Sequence, residues 1–201
     1  MKIIVVGATG LIGKEVVRAI GSKHQVIEAG HKGGEPRVDI TQKKSIESLF
    51  NSVGRFDALI CTAGSAAFGM MEKLTDDDYA LGLKDKLMGQ VNLVRVGVNY
   101  VSENGVFTLT SGVLAREPMP GSSAISIVNA GLEGFVGAAA LEMKNGVRIN
   151  VVSPPFAVET LKALGMDTSI GIPVAKFSAA YLESLNSRRT GEVLDVRKFA
   201  R

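Results

Sequence analysis

The residues of this chain best suited to chemistry cluster near its start, where Gly7, Gly10 and Gly13 follow the apolar run Ile3, Ile4, Val5 and Val6. A short apolar run bounded by glycine reads as a strand buried on both faces, and residues 11 to 20 have helical spacing. The first N–H groups of such a helix lack intrahelical partners, and the helix dipole favours an anion in front of them. Gly7 supplies the turn, Gly10 lets backbone approach a pyrophosphate, and Gly13 lets the helix sit close on the sheet. Thr9 lies in the turn, and Leu11 and Ile12 open the helix beside the anion. The spacing is G-x-x-G-x-x-G rather than the commoner G-x-G-x-x-G, so its weight comes from its place between a buried strand and a helix. Other reactive residue types are scarce. Cys61 ends an apolar run and reads as a small buried hydrophobe rather than a nucleophile. Two histidines, His24 and His31, argue against a histidine-based metal site.

The totals say what can position these residues. A chain of 201 residues is most simply one domain, and a domain of that size buries about 70% of its unfolded surface. A net charge of +3, with basic residues gathered only in the tail from Arg197 to Arg201, gives no support to nucleic-acid binding. No apolar stretch reaches the ~20 residues of a membrane span, and the start lacks the pattern of a signal peptide. The single cysteine excludes an internal disulfide and suits a reducing cytoplasm.

Strand patterns recur at residues 25–29, 37–40, 56–61, 106–110, 147–152 and 192–196, which with the first run makes seven. Helical patterns fall between them: 41–53, a long region from Thr75 to about Glu103, about 124–144, and 173–185. Thr75 and Asp78 have the spacing of a helix start. Regular alternation without tight hairpins predicts an α/β fold, a Rossmann-like doubly wound parallel sheet of about seven strands in a single domain over 1–201. Ligands of such sheets lie at the carboxyl ends of the strands, near the switch point in strand order. The end of the second strand chooses between dinucleotides: an acid there bonds the free ribose of NAD, whereas a base accommodates the 2′-phosphate of NADP. Gly30 occupies the acid position, and His31 and Lys32 follow, so the expected cofactor is NADP.

Assembled, these pieces resemble the short-chain dehydrogenase/reductase family over nearly the whole chain. The glycine turn matches that family's cofactor loop, Asp39 and Ile40 its adenine contact, and Thr62-Ala63-Gly64 its N-A-G element. Ser111 stands where the family keeps its catalytic serine. The stretch from Ala130 to Glu142 resembles the helix that carries the family's tyrosine and lysine. Residues 147–154, ending in Pro154, resemble its R-V-N-x-V-x-P-G strand, and residues 190–194 its closing T-G-x-x-L strand. The resemblance implies cofactor contacts from these elements, a small-molecule carbonyl or alcohol substrate, and a homodimer or homotetramer.

The departures fall on the chemistry. The family's phenol passes the proton that accompanies hydride transfer, and its lysine lowers the phenol pKa and holds the ribose. Counting back from Glu142 places Ile125 at the tyrosine position and Asn129 at the lysine position; a one-residue slip gives Ala124 and Val128 instead. Neither pair can move a proton. Lys86 replaces the family's asparagine, and Pro155 replaces the glycine after Pro154. Two readings follow. In one, an atypical NADP-dependent oxidoreductase uses Ser111 to bond the carbonyl and Lys86 as the acid, while Asn129 bonds the ribose. In the other, a catalytically inactive sensor or partner protein binds NADP(H) and does no hydride chemistry. Residues 156–172, with Val158, Leu161, Leu164 and Met166, read as an apolar lid over the substrate.

Overall fold

The computed structural model describes residues 1–200. Arg201, the last of the basic tail residues, lies outside the described residues. Six parallel strands form one sheet: β1 Lys2–Val6, β2 Gln25–Ala29, β3 Phe56–Cys61, β4 Val101–Thr110, β5 Arg148–Ser153 and β6 Val193–Asp195. Their order is β2-β1-β3-β4-β5-β6, so the direction of strand addition reverses between β1 and β3. The helices are α1 Leu11–Ile20, α2 Lys43–Val53, α3 Asp76–Gly82, α4 Met88–Gly97, α5 Ser123–Glu142, α6 Val158–Ala163 and α7 Ser178–Asn186.

Each sheet face has its own core, as a parallel sheet requires. On one face α2, α4 and α5 bury Phe50, Phe56, Leu93, Phe107 and Leu132. There the rings of Phe56 and Phe107 meet edge to face at 5.9 Å. On the other face α1 and α7 cover Ile3, Val5, Ile60 and Val106 with Val16, Ile20, Ala180 and Tyr181. The helix starting at Thr75 has the reciprocal cap its spacing predicts: the Thr75 hydroxyl accepts from the Asp78 N–H, and the Asp78 carboxylate accepts from the Thr75 N–H.

Four sequence expectations need correction. Residues 37–40 form no strand, and only a single bridge joins Gly30 to Arg37. Pro36 has no N–H to give a ladder, the Asp39 N–H goes to Ser45 Oγ at 3.0 Å, and the Thr41 N–H goes to Asp39 Oδ1 at 2.9 Å. Side chains thus take the donors a strand would use, and the chain turns into α2. The long helical region ends at Gly97, not near Glu103, because residues 101–105 extend β4 backwards. Pro173 lies just before a short 3-10 turn, Val174–Phe177, which leads into α7. Finally, α5 is 20 residues long and apolar enough for a membrane span by length and composition alone. In this fold it lies against the sheet, with Leu132 and Val136 in the core.

The β1–α1 junction sets the tightest packing. A Cβ on Gly13 would stand 2.1 Å from the Gly7 carbonyl oxygen and 2.8 Å from Ala8 Cα, both backbone atoms that cannot swing aside. Gly13→Ala is therefore expected to destabilise the fold by about 1–3 kcal/mol, the usual cost of overpacking. Urea unfolding curves measure this, and a midpoint equal to that of the parent chain would contradict the packing argument.

Candidate active site

The carboxyl ends of the strands carry two cavities, one over β1, β2 and β3 and one over β4 and β5. Gly7 takes φ +86°, and its N–H donates to Ala29 O at 2.9 Å. Gly10 caps α1 with extended backbone, and no side chain caps the first turn, so the turn formed by Leu11, Ile12 and Gly13 keeps its N–H groups for an anion. Thr9 faces the loop after β2, its side chain in contact range of Gly33. Leu11 is largely exposed, whereas Ile12 packs toward the α1–α7 core.

The first cavity, about 360 Å³, opens at the ends of β1, β2 and β3. It gathers His31, Lys32, Asp39, Ile40, Ala63 and Gly64 from three separate segments. His31 and Lys32 are exposed at its rim. Arg37, which sequence reading did not single out, donates to His31 O at 3.2 Å and adds a third basic group there. Asp39 is held by its bonds from the Thr41 hydroxyl and backbone, which lower its pKa. Asp85, also missed, enters from the α3 side. Burial raises its carboxyl pKa despite bonds to Ser65.

The second cavity, about 140 Å³, opens at the ends of β4 and β5. It brings together Lys86, Ser111, Ile125, Asn129 and Pro154, with Phe156 at its edge. Ile125 and Asn129 share this wall, while Val128 packs toward Gly82. Asn129 is buried, and its Oδ1 has no hydrogen-bond partner. A buried acceptor left unpaired costs about 1–3 kcal/mol, so this atom suits a ligand hydroxyl.

Lys86 reaches the cavity through a π-helical turn, Leu83–Leu87, between α3 and α4. Such turns insert one residue into a helix and often mark functional sites. The Lys86 backbone lies against Gly64, where an added Cβ would come within 3.0 Å of Lys86 Cα and 2.9 Å of its Cγ. Gly64, at φ +136°, therefore accommodates the approach both by shape and by conformation. Lys86 Nζ donates to Ser111 O at 3.0 Å. Protein packed around the half-buried ammonium disfavours its charged form and lowers its pKa to about 8.

Buried polar groups behind the cavity fix its walls. Gln90 on α4 clasps the end of β4, accepting from the Thr110 N–H at 2.9 Å and donating to Thr110 O at 3.0 Å. The Thr110 hydroxyl donates to Cys61 O at 2.6 Å and accepts from the Tyr181 hydroxyl at 2.8 Å. Cys61 is fully buried, and burial pushes its thiol up to about 12, so it is not a nucleophile at neutral pH. Ser111 differs from the sequence expectation. Its hydroxyl donates not toward the cavity but to Glu133 Oε1 at 3.0 Å.

Comparison with known proteins identifies relatives in sequence and in fold. The family model described as enoyl-(acyl carrier protein) reductase matches residues 15–200. The crystal structure of protein lin1944 from Listeria innocua is 35% identical with a TM-score of 0.94, covering 98% of this chain and 99% of that one. A small-chain dehydrogenase solved in complex with NADPH is 26% identical with a TM-score of 0.87, covering 100% and 98%. Hydroxynaphthalene reductase arp2 of Aspergillus fumigatus is 26% identical over 145 residues, which are 70% of this chain. The 3-oxoacyl-[acyl-carrier-protein] reductase FabG of Thermotoga maritima is 25% identical over 143 residues, or 67%. The chain spans 50% and 58% of the length of these two reductases. A reversal of strand order above a glycine turn, a serine at the end of β4, and a family match over most of its length together place this chain in the short-chain dehydrogenase/reductase family.

Proposed function

We propose that this chain is an NADP(H)-dependent oxidoreductase that interconverts a small carbonyl compound and its alcohol, with Lys86 as the proton donor. The observation that carries this reading is the Lys86 ammonium, which lines the 140 Å³ cavity with a pKa near 8. A group poised near operating pH can give a proton and regain it. The dinucleotide, when bound, supplies or accepts the hydride. The chain's own residues do the rest. The first turn of α1 holds the pyrophosphate. His31, Lys32 and Arg37 face a 2′-phosphate, and Asp39, Ile40, Ala63 and Gly64 surround the adenosine. Asn129 Oδ1 accepts from a ribose hydroxyl, which gives its unpaired acceptor a partner. Pro154 and Ile125 keep water from the reacting carbonyl, whose oxygen accepts from Lys86 Nζ. Because the acid form of Lys86 is the one that acts, reductive turnover falls as pH rises through about 8.

The second reading, an NADP(H)-binding protein without turnover, draws on Ile125, an apolar side chain where the family's phenol moves a proton. One titration and one assay separate the two. NADPH is expected to bind at least tenfold more tightly than NADH, which is about 1.4 kcal/mol of discrimination by the basic rim. Lys86→Met is expected to keep that binding and lose carbonyl reduction. Equal affinity for the two dinucleotides would remove NADP from the proposal. NADPH binding with no reduction of any compound in a broad carbonyl panel would favour the second reading.

We further propose a homo-oligomer formed through α4 and α5, in the cytoplasm. Met88, Ile127 and Leu141 are exposed on this pair, Leu141 to 90%, and Gly134 and Gly137 have open space where a Cβ would stand. Light scattering at micromolar concentration is expected to give at least twice the 21.2 kDa chain mass, and a monomer would overturn the assembly.

A further inference from the structure

Ser111 directs the single proton of its hydroxyl out of the cavity. Its hydroxyl lies 3.0 Å from Glu133 Oε1 and 3.4 Å from Val152 O. A hydroxyl has a single proton, and a carboxylate is the stronger acceptor and the nearer one. Glu133 stands one helical turn after Asn129 on α5. Its second oxygen faces Arg116 Nε at 3.4 Å, with the Glu133 side chain only 12% exposed. Arg116 in turn donates to Ser153 Oγ at 3.1 Å and lies 3.9 Å from Asp195 Oδ2. Asp195 and Glu117 both pair with Arg197. The carboxylate is thus anchored from behind by a guanidinium that is itself tethered to the ends of β5 and β6. None of these charged groups is consumed by the dinucleotide contacts proposed above.

We propose that Glu133 is a positioning residue that holds the Ser111 proton away from the cavity. Ser111 then accepts rather than donates, and it selects carbonyl substrates that carry a hydrogen-bond donor beside the carbonyl. The substrate carbonyl, an acceptor, is served by the Lys86 ammonium. A neighbouring hydroxyl or N–H on the substrate is served by the lone pairs of Ser111 Oγ. The fitting class is an α-hydroxy ketone or a related α-functional carbonyl compound, small enough for a cavity of about 140 Å³. This substrate class rests on the oxidoreductase reading, whereas the direction of the hydroxyl does not.

The chemistry of arginine makes the idea testable with one isosteric change. Arg116 has donors only. In Glu133→Gln it takes the amide oxygen, which turns the amide NH2 onto Ser111 Oγ and frees the serine proton to point into the cavity. Neutron diffraction on deuterated protein reads the position directly. The expected result is a deuteron on the Ser111–Glu133 line in the parent chain and on the cavity side in Glu133→Gln. A deuteron facing the cavity or Val152 in the parent, or an unmoved deuteron in the variant, overturns the proposal. The substrate half is read with 3-hydroxybutan-2-one and butan-2-one as probes, by protein-observed NMR titration of the NADP-loaded chain. The parent is expected to prefer the hydroxy ketone about tenfold, with the preference lost in Glu133→Gln and absent from Ser111→Ala already. A merely structural role for Glu133 would weaken both probes together, and that outcome, or an unchanged ratio, overturns the selection. Failure to load NADP refutes the functional reading and leaves the deuteron result standing on its own.

Discussion

A Cβ on Gly64 would come within 2.9–3.1 Å of three Lys86 atoms, and the geometry of the site depends on its absence. That gap lets the π-helical turn lie against the exit of β3. The turn in turn brings an ammonium from the α3–α4 side to the end of β4, where Ser111 O receives it. The same neighbourhood is pinned from below by Gln90 on Thr110 and by Thr110 on Cys61 O. The ends of β3 and β4, the π turn and α4 therefore share one junction. A lysine elsewhere on the surface would be solvated and inert; here its stem packs against Gly64 and its head donates to Ser111 O.

Electrostatics follows from that packing. Enclosure disfavours the charged ammonium and brings its pKa from 10.5 to about 8. Ile125 adds an apolar wall where a phenol would have offered a proton. The family's usual division of labour, with a phenol as acid and a lysine to tune it, is absent from this cavity. In the proposed reaction Lys86 takes the acid's place, and the unpaired oxygen of Asn129 is the uncharged group offered to the ribose. Behind them, Glu133 and Arg116 form an ionised pair whose orientation is fixed by Ser153 and Asp195. The cavity thus has an ammonium, a serine oxygen and an unpaired amide oxygen, each held by a different element.

Much of this was legible in the sequence because it follows from local rules. The buried run at Ile3–Val6, the glycine spacing and the Thr75–Asp78 cap each depend on residues close in the chain, and the alternation of strand and helix patterns gave the layered parallel sheet. The register from Glu142 placed Ile125 and Asn129, and both line the cavity with Lys86 and Ser111. What the sequence hid is non-local. No pattern signalled that Ser45 and Asp39 would take the backbone N–H groups of Asp39 and Thr41, so a strand was expected there. Glu133 sits in an ordinary helical run, and its bond to Ser111 spans 22 residues. Asp85 reaches the first cavity only through the π turn, and Arg37 comes near it only by its bond to His31 O in the loop after β2. The π turn itself carries no glycine or proline to mark it.

The most direct test of the account is the titration of Lys86 itself, followed by NMR of chains carrying 13C-labelled lysine, with Lys86→Met to identify its signal. The account predicts a midpoint near pH 8. A Lys86 that titrates near 10.5, with the exposed lysines, would mean that its ammonium is solvated and would contradict its role as the acid of this site.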